Sequence, residues 1–258
     1  MASYFQEKGK DKSIVMILVF GGTTEGKLVA KTLDEYDIKY YYSTKTQVKY
    51  NGKGTPIFGE MTFELLEAFC KEKSITHIIN ASHPFASQLH QTVANTSLEL
   101  PIVRFQRKFS PRSVHKLVHY VDNFEEALNH FKKGSYRTLL GLSGVQTISK
   151  LKPFWRDHQA WFRILDRDSS RAIAAKSNFP ETHLLFGYPQ SKKEEMLLFA
   201  KINPEVIFTK ESGSNGKLEE KIEASLALNI PIVILKKPKI SNRYLCIDTS
   251  EELIKVLT

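Results

Sequence analysis

One phrase near the start of the chain constrains the fold more than any other. The apolar run at 14–20 breaks at Gly21-Gly22-Thr23-Thr24-Glu25-Gly26, and a helical pattern follows at once. A continuous apolar run of that length suits a parallel strand covered on both faces. Leu28, Val29 and Leu33 then recur at helical spacing, with Thr23 or Thr24 placed to cap the helix. Strand, glycine turn and helix in that order open an α/β sheet. The alternation continues with strands at 38–43, 76–81 and 101–104 and helices at 63–71 and about 86–97. Such a series specifies an open parallel sheet flanked by helices.

A second α/β section follows, with apolar runs at 138–142, 161–165, 183–186, 206–209 and 232–235 and helical patterns at 192–202 and 218–228. Both sections close on the same phrase, Leu100-Pro101-Ile102-Val103 and Ile230-Pro231-Ile232-Val233. The fold class read from this is α/β, with two Rossmann-like lobes, each built on a parallel sheet, and a cleft between them. The expected division is a polar, lysine-rich extension at 1–13, a first lobe at 14–112 and a second at 113–258.

With 258 residues, 41% hydrophobic and 25% charged, the chain is long enough to bury a real core. Its two cysteines, Cys70 and Cys246, have neither disulfide-framework nor metal-ligand spacing, so no metal site is expected. The early apolar run is too short to cross a bilayer, and a cytoplasmic protein is expected. A net charge of +9 attracts polyanions, but the basic residues are dispersed and carry no nucleic-acid-binding pattern. A dinucleotide and a substrate bearing carboxylates account for the excess equally well. A solvated basic surface with no specific partner is the plainer alternative.

Three phrases carry candidate chemistry. The turn from Gly21 to Thr24 lets backbone approach a ligand at a helix N-terminus, where a phosphate is favoured. Its spacing is not G-x-G-x-x-G, and a glycine turn also serves simple chain reversal. Glu25 suits the helix dipole and opposes a phosphate, so capping is its expected work. At the end of the second strand, Ser43, Thr44 and Lys45 stand where a ribose-binding acid would favour NADH. Hydroxyls and a lysine tip the expectation to NADPH, with NADH usable; a solvated loop lysine is the alternative for Lys45. The second phrase, Asn80-Ala81-Ser82-His83-Pro84-Phe85-Ala86, follows the end of a buried strand, and an imidazole such as that of His83 can donate or accept a proton. A lone loop histidine more often has only a structural part. The third, Thr209-Lys210-Glu211-Ser212-Gly213-Ser214-Asn215-Gly216, offers a cation, hydroxyls and open backbone to an anion. It reads equally as a helix cap supplied by Ser212, Ser214 or Asn215.

Together these phrases resemble the precorrin-6A reductase family, called cobalt-precorrin-6A reductase in the anaerobic route. The similarity covers 14–238. This chain departs from the family's usual pattern at Gly187-Tyr188-Pro189 and at Ser214-Asn215, both in loops expected to meet substrate. The resemblance implies hydride transfer from NADPH or NADH to a tetrapyrrole double bond in cobalamin biosynthesis, with a proton added at the adjacent carbon. It implies a small-molecule tetrapyrrole partner, no nucleic acid, no membrane, and leaves the oligomeric state open. Gly21, Gly22, Thr23, Thr24, Ser43, Thr44, Lys45 and Ser82 are then expected at the cofactor. His83, Pro84, Phe85, Lys210, Ser212 and Gly213 are expected at the substrate, with His83 the candidate catalytic residue and the two loops facing one another across the cleft. Another NAD(P)-dependent reductase of an acidic small molecule, or a non-catalytic dinucleotide-binding protein, are the competing readings.

Overall fold

The structure, a computed structural model, describes residues 15–106, 109–213 and 216–257. The expected extension at 1–13 lies outside them, as do Ser214 and Asn215. In chain order the elements are β1 (Met16–Phe20), α1 (Thr24–Glu35), β2 (Lys39–Thr44), β3 (Thr55–Phe58), α2 (Phe63–Glu72), β4 (His77–Asn80), α3 (Ser87–Ala94) and β5 (Ile102–Phe105). They continue with β6 (Val118–Val121), α4 (Phe124–Lys133), β7 (Thr138–Gly141), α5 (Lys152–Trp155), β8 (Gln159–Ile164), α6 (Asp168–Lys176) and β9 (Leu184–Phe186). The last are α7 (Lys192–Ile202), β10 (Val206–Lys210), α8 (Leu218–Ala227), β11 (Ile232–Leu235), β12 (Leu245–Ile247) and α9 (Ser250–Leu257).

The strands form two six-stranded sheets, ordered β3-β2-β1-β4-β5-β12 and β9-β8-β7-β10-β11-β6, with every pairing parallel. The chain divides into two compact units. One holds the described residues up to Gln106 together with those from Ile240 onward, and the other runs from Phe109 to Lys239. This differs from two consecutive lobes at 14–112 and 113–258. Residues after Ile240 return to the first unit because β12 completes the open edge of β5.

In the first unit the two-residue period of β1 decides which helices it meets. Ile17 and Val19 pack with Val29, Leu33, Leu253 and Leu257 of α1 and α9, whereas Leu18 and Phe20 pack with Leu66, Cys70 and Val93 of α2 and α3. In the second unit Leu140, Ile207, Ile232 and Ile234 meet Phe199 and Ile222 of α7 and α8. Phe131 of α4 stands edge-on to Phe208 of β10. The sequence phrases at 100–103 and 230–233 lead into β5 and β11, which hold the same place in the two sheet orders.

Both sheets reverse direction of strand addition once, between β1 and β4 in the first and between β7 and β10 in the second. Ligands of open α/β sheets bind outside the carboxyl ends of the strands at such switch points. The loops following β1 and β4 carry the first and second sequence phrases, and the loop following β10 carries the third.

Candidate active site

At the first switch point the backbone of the glycine turn is fixed from below. The N–H of Gly21 donates to the carbonyl of Ser43 at 2.9 Å, and that of Gly22 to the hydroxyl of Tyr42 at 3.0 Å. A Cβ on Gly21 would lie 2.2 Å from the Tyr42 ring, and one on Gly26 2.6 Å from the Gly21 Cα. Gly21 and Gly26 are therefore packing glycines that bring α1 down onto the strand ends. Gly22 is different: its φ is +84°, and a Cβ there would meet only the Thr44 Cγ2, at 3.6 Å. Its conformation demands glycine while its outer side is open, as a ligand cradle requires.

Thr23 caps α1, its Oγ1 accepting from the N–H of Gly26 at 3.0 Å and donating to the carbonyl of Ala81 at 2.6 Å. That second bond ties the turn after β1 to the loop after β4 across the switch point. The remaining N–H groups of the first turn lie outside the helix's own ladder and carry its positive end. These residues fit a pyrophosphate through an open glycine beside a helix N-terminus, with Glu25 the acidic residue of the helix's first turn. Ser43 and Thr44 are buried at the end of β2, and Lys45 projects beyond them to meet Glu60, Nζ to Oε2 at 2.9 Å.

The loop after β4 rests on a buried polar network. Arg104, only 1% exposed, donates from Nη1 to the carbonyl and Oδ1 of Asn80 at 3.0 and 2.9 Å, and from Nη2 to the carbonyl of Ser82 at 2.9 Å. Asn80 Oδ1 also accepts from the N–H and hydroxyl of Ser82, and Asn80 Nδ2 donates to the Tyr244 hydroxyl at 3.0 Å. Tyr244 donates in turn to the carbonyl of His90 at 2.9 Å. Burial, reinforced by the Arg104 charge, pushes the His90 imidazole down to about 4, so it is neutral near pH 7. His83 stands exposed on this support. Its Nδ1 accepts from the N–H of Phe85 at 3.1 Å, which leaves the ring proton of the neutral form on Nε2 as a donor. Ser82 is buried and Pro84 and Phe85 half-buried beside it.

In the second unit Lys210 ends β10, and burial brings its ammonium down to about 8. Ser212 and Gly213 line a cavity of about 400 Å³ with Arg112, Tyr120 and Glu211. Lys210 is not part of that lining, and Glu219, Glu220 and Glu223 make the cavity itself unsuited to carboxylates. Helix α8 starts after Lys217, which has left-handed backbone and makes no side-chain cap bond, so Ser212 is not the cap. Its Oγ is buried and meets no hydrogen-bond partner among the described residues.

Sequence reasoning missed several residues here. Tyr42 and Arg104 read as ordinary strand positions, although a charge inside the apolar phrase Ile102-Val103-Arg104-Phe105 is a signal in itself. Glu211 stands between Lys210 and Ser212 and carries no signal of its own in the sequence. It is 5% exposed, accepts from Arg112 at 2.8 and 3.1 Å and from the N–H of Lys237 at 2.8 Å, and so anchors the loop. Arg163 and Glu195 form a buried bidentate pair at 2.8 and 2.6 Å. Nearby Lys221, pushed down to about 8 by burial and then by the Arg163 charge, donates to the carbonyl of Gly216.

An all-parallel sheet in the order β3-β2-β1-β4-β5-β12, with a glycine turn and helix N-terminus at its switch point, gives the first unit the doubly wound α/β architecture on which dinucleotides bind in many proteins. The chain belongs to the precorrin-6x reductase family CbiJ/CobK, whose family model matches residues 16–258. It is an oxidoreductase family acting on a tetrapyrrole. The cobalt-precorrin-6A reductase of Methanocaldococcus jannaschii is 28% identical over 252 residues, covering 93% of this chain and 97% of the relative. That of Priestia megaterium is 26% identical over 258 residues, covering 94% and 98%. Among solved structures, the precorrin-6A reductase CobK superposes with a TM-score of 0.73 at 19% identity, covering 94% of this chain and 96% of the other. That likeness supports the fold described above. No helix among the described residues is long and apolar enough to cross a membrane.

Proposed function

We propose that this protein reduces precorrin-6A, or its cobalt form, in corrin biosynthesis with a nicotinamide cofactor. The observation that carries the reading is the family match over residues 16–258 coinciding with an open Gly22 turn at the switch point of a dinucleotide-type sheet. The turn from Gly21 to Thr24 holds the pyrophosphate through backbone N–H groups. Ser43, Thr44 and Lys45 lie at the adenosine ribose, and the Lys45 charge makes NADPH the expected donor. Reduced nicotinamide supplies the hydride when bound. The chain's own work is to fix distance and orientation and to keep water out.

Ser82 lies on the cofactor side of the loop after β4, and His83, Pro84 and Phe85 on the substrate side. The Nε2–H of His83 donates to the macrocycle or the nicotinamide and sets their relative orientation. Lys210 pairs with a rim carboxylate, and Ser212 Oγ and the Gly213 backbone add hydrogen bonds. The net charge of +9 suits a substrate bearing acetates and propionates.

Anaerobic incubation with precorrin-6A or its cobalt form and either reduced nicotinamide, followed by visible absorption, tests the assignment. No spectral change in any combination sinks it. Lys210→Ala is expected to raise the Michaelis constant by roughly tenfold with little change in turnover, as loss of uniform binding does. His83→Ala is expected to lower turnover by roughly ten- to a hundredfold through lost orientation. Steady-state kinetics separate the two. Wild-type constants in both variants would remove these residue assignments and leave the reaction standing.

A further inference from the structure

The end of β2 has a neighbour that its own sequence does not reveal. β2 and β3 pair in parallel with Thr44 opposite Phe58, so the residues after each emerge at the same edge of the sheet. The N–H of Gly59 donates to the carbonyl of Thr44 at 3.1 Å, extending the pairing by one residue. Gly59 has a φ of +126° and open space where a Cβ would stand. The chain turns there, and Glu60 comes back to Lys45, Nζ to Oε2 at 2.9 Å. Beside this pair lies a cavity of about 300 Å³ lined by Ser43, Ile57, Phe58, Glu60, Met61 and Leu65. Its walls are mostly apolar, Glu60 and Glu72 are the charged residues that line it, and Lys45 reaches it only through its bond to Glu60.

In a sheet of this order the carboxyl end of the second strand reads the ribose 2′ position. An acid there accepts from a 2′-hydroxyl, and a cation pairs with a 2′-phosphate. Here both kinds of group are present and bonded to each other. The acid arrives from β3 rather than from β2. We infer that Glu60 is the residue that sets the balance between NADH and NADPH. Its carboxylate neutralises Lys45, repels the near-dianionic 2′-phosphate, and offers an acceptor to the ribose hydroxyls. Glu60 thereby limits the preference for NADPH that Lys45 would impose alone, and keeps NADH usable. The pair is accessible, the side chains being 72% and 49% exposed, and an ion pair so exposed is weakly held, so a bound phosphate can open it.

This inference rests on the nicotinamide reading given above, and its test needs no tetrapyrrole. Isothermal titration of NAD⁺ and NADP⁺, and of the fragments 5′-AMP and 2′,5′-ADP, compares the wild type with Glu60→Gln and Lys45→Gln. Glu60→Gln is expected to tighten NADP⁺ and 2′,5′-ADP by roughly tenfold and to weaken NAD⁺ by a few-fold. Lys45→Gln should move the ratio of the two affinities the other way. Both shifts should shrink as salt is raised. Because both side chains are exposed, the variants are expected to keep the wild-type circular dichroism spectrum. A wild type that binds dinucleotide while Glu60→Gln leaves the NADP⁺ to NAD⁺ ratio within about twofold of wild type, below the change expected from a removed charge, overturns the role of Glu60 alone. A wild type that binds neither dinucleotide overturns the cofactor reading and this inference with it.

Discussion

Gly22→Asp is expected to weaken dinucleotide binding by roughly a hundredfold or more, the consequence of placing a carboxylate within a few ångströms of a pyrophosphate in a partly screened site. The protein itself should survive the change. A Cβ at this position meets nothing nearer than 3.6 Å, so the side chain enters open space rather than the core. The backbone, at a φ of +84°, exacts about 1–2 kcal/mol from any residue with a Cβ, and Asp tolerates such angles better than most. Gly22→Ala separates the two causes, since it carries the same backbone cost without the charge. It should keep binding within roughly tenfold of wild type. Titration calorimetry beside a thermal melt reads both quantities. A folded Gly22→Asp protein with wild-type affinity for both dinucleotides would place the pyrophosphate elsewhere.

Arg104→Met is expected to cost about 2–4 kcal/mol of stability. The substitution preserves length and apolar stem but strips donors from the carbonyls of Asn80 and Ser82, which are buried. Asn80 Oδ1 keeps its two bonds from Ser82, whereas the carbonyls of Asn80 and Ser82 each lose the donor that Arg104 supplies. Part of the loss is offset, because burial already disfavours the guanidinium charge and lowers its affinity for the proton. The functional effect should appear in turnover more than in the Michaelis constant, because the loop bearing His83 loses its floor. Arg104→Lys, which restores the charge and one or two of the donors, should recover part of both. Urea unfolding and steady-state kinetics on the two variants check this, and wild-type stability in Arg104→Met would show that the network is dispensable.

The parts of this architecture that could be read from sequence are those specified locally. The run of β1, the glycine turn and the Thr23 cap lie within a few residues of one another, and each agrees with the next. Helix α7 likewise declares itself through the capping box of Ser191 and Glu194. What escaped depends on partners distant in the chain. The short strands β6 and β12 are too brief to stand out, and each exists because β11 or β5 leaves an edge to be paired. β3 is four residues long, contains Pro56, and stands at the outer edge where it pairs with β2 alone, so no local pattern announces it. Glu60 escapes sequence reasoning because a ribose-binding acid is expected at the end of β2, and here the acid follows the strand beside it. At His83 the loop was legible, whereas the Arg104, Asn80 and Tyr244 network beneath it joins three separate stretches of chain.

The return of β12 has a bearing on how the molecule is born. Everything from Phe109 to Lys239 is one uninterrupted stretch, whereas the sheet bearing the glycine turn waits for its sixth strand until that whole stretch has been made. A chain emerging from the ribosome can therefore close the inserted unit first, with local pairings, while β5 keeps an unpaired edge until β12 arrives. During that interval the nascent protein has its second sheet in place and its dinucleotide-type sheet incomplete. Completion of the first unit's sheet is thus tied to residues translated after the entire inserted unit, so the switch point between β1 and β4 acquires its full support only once both units have been made.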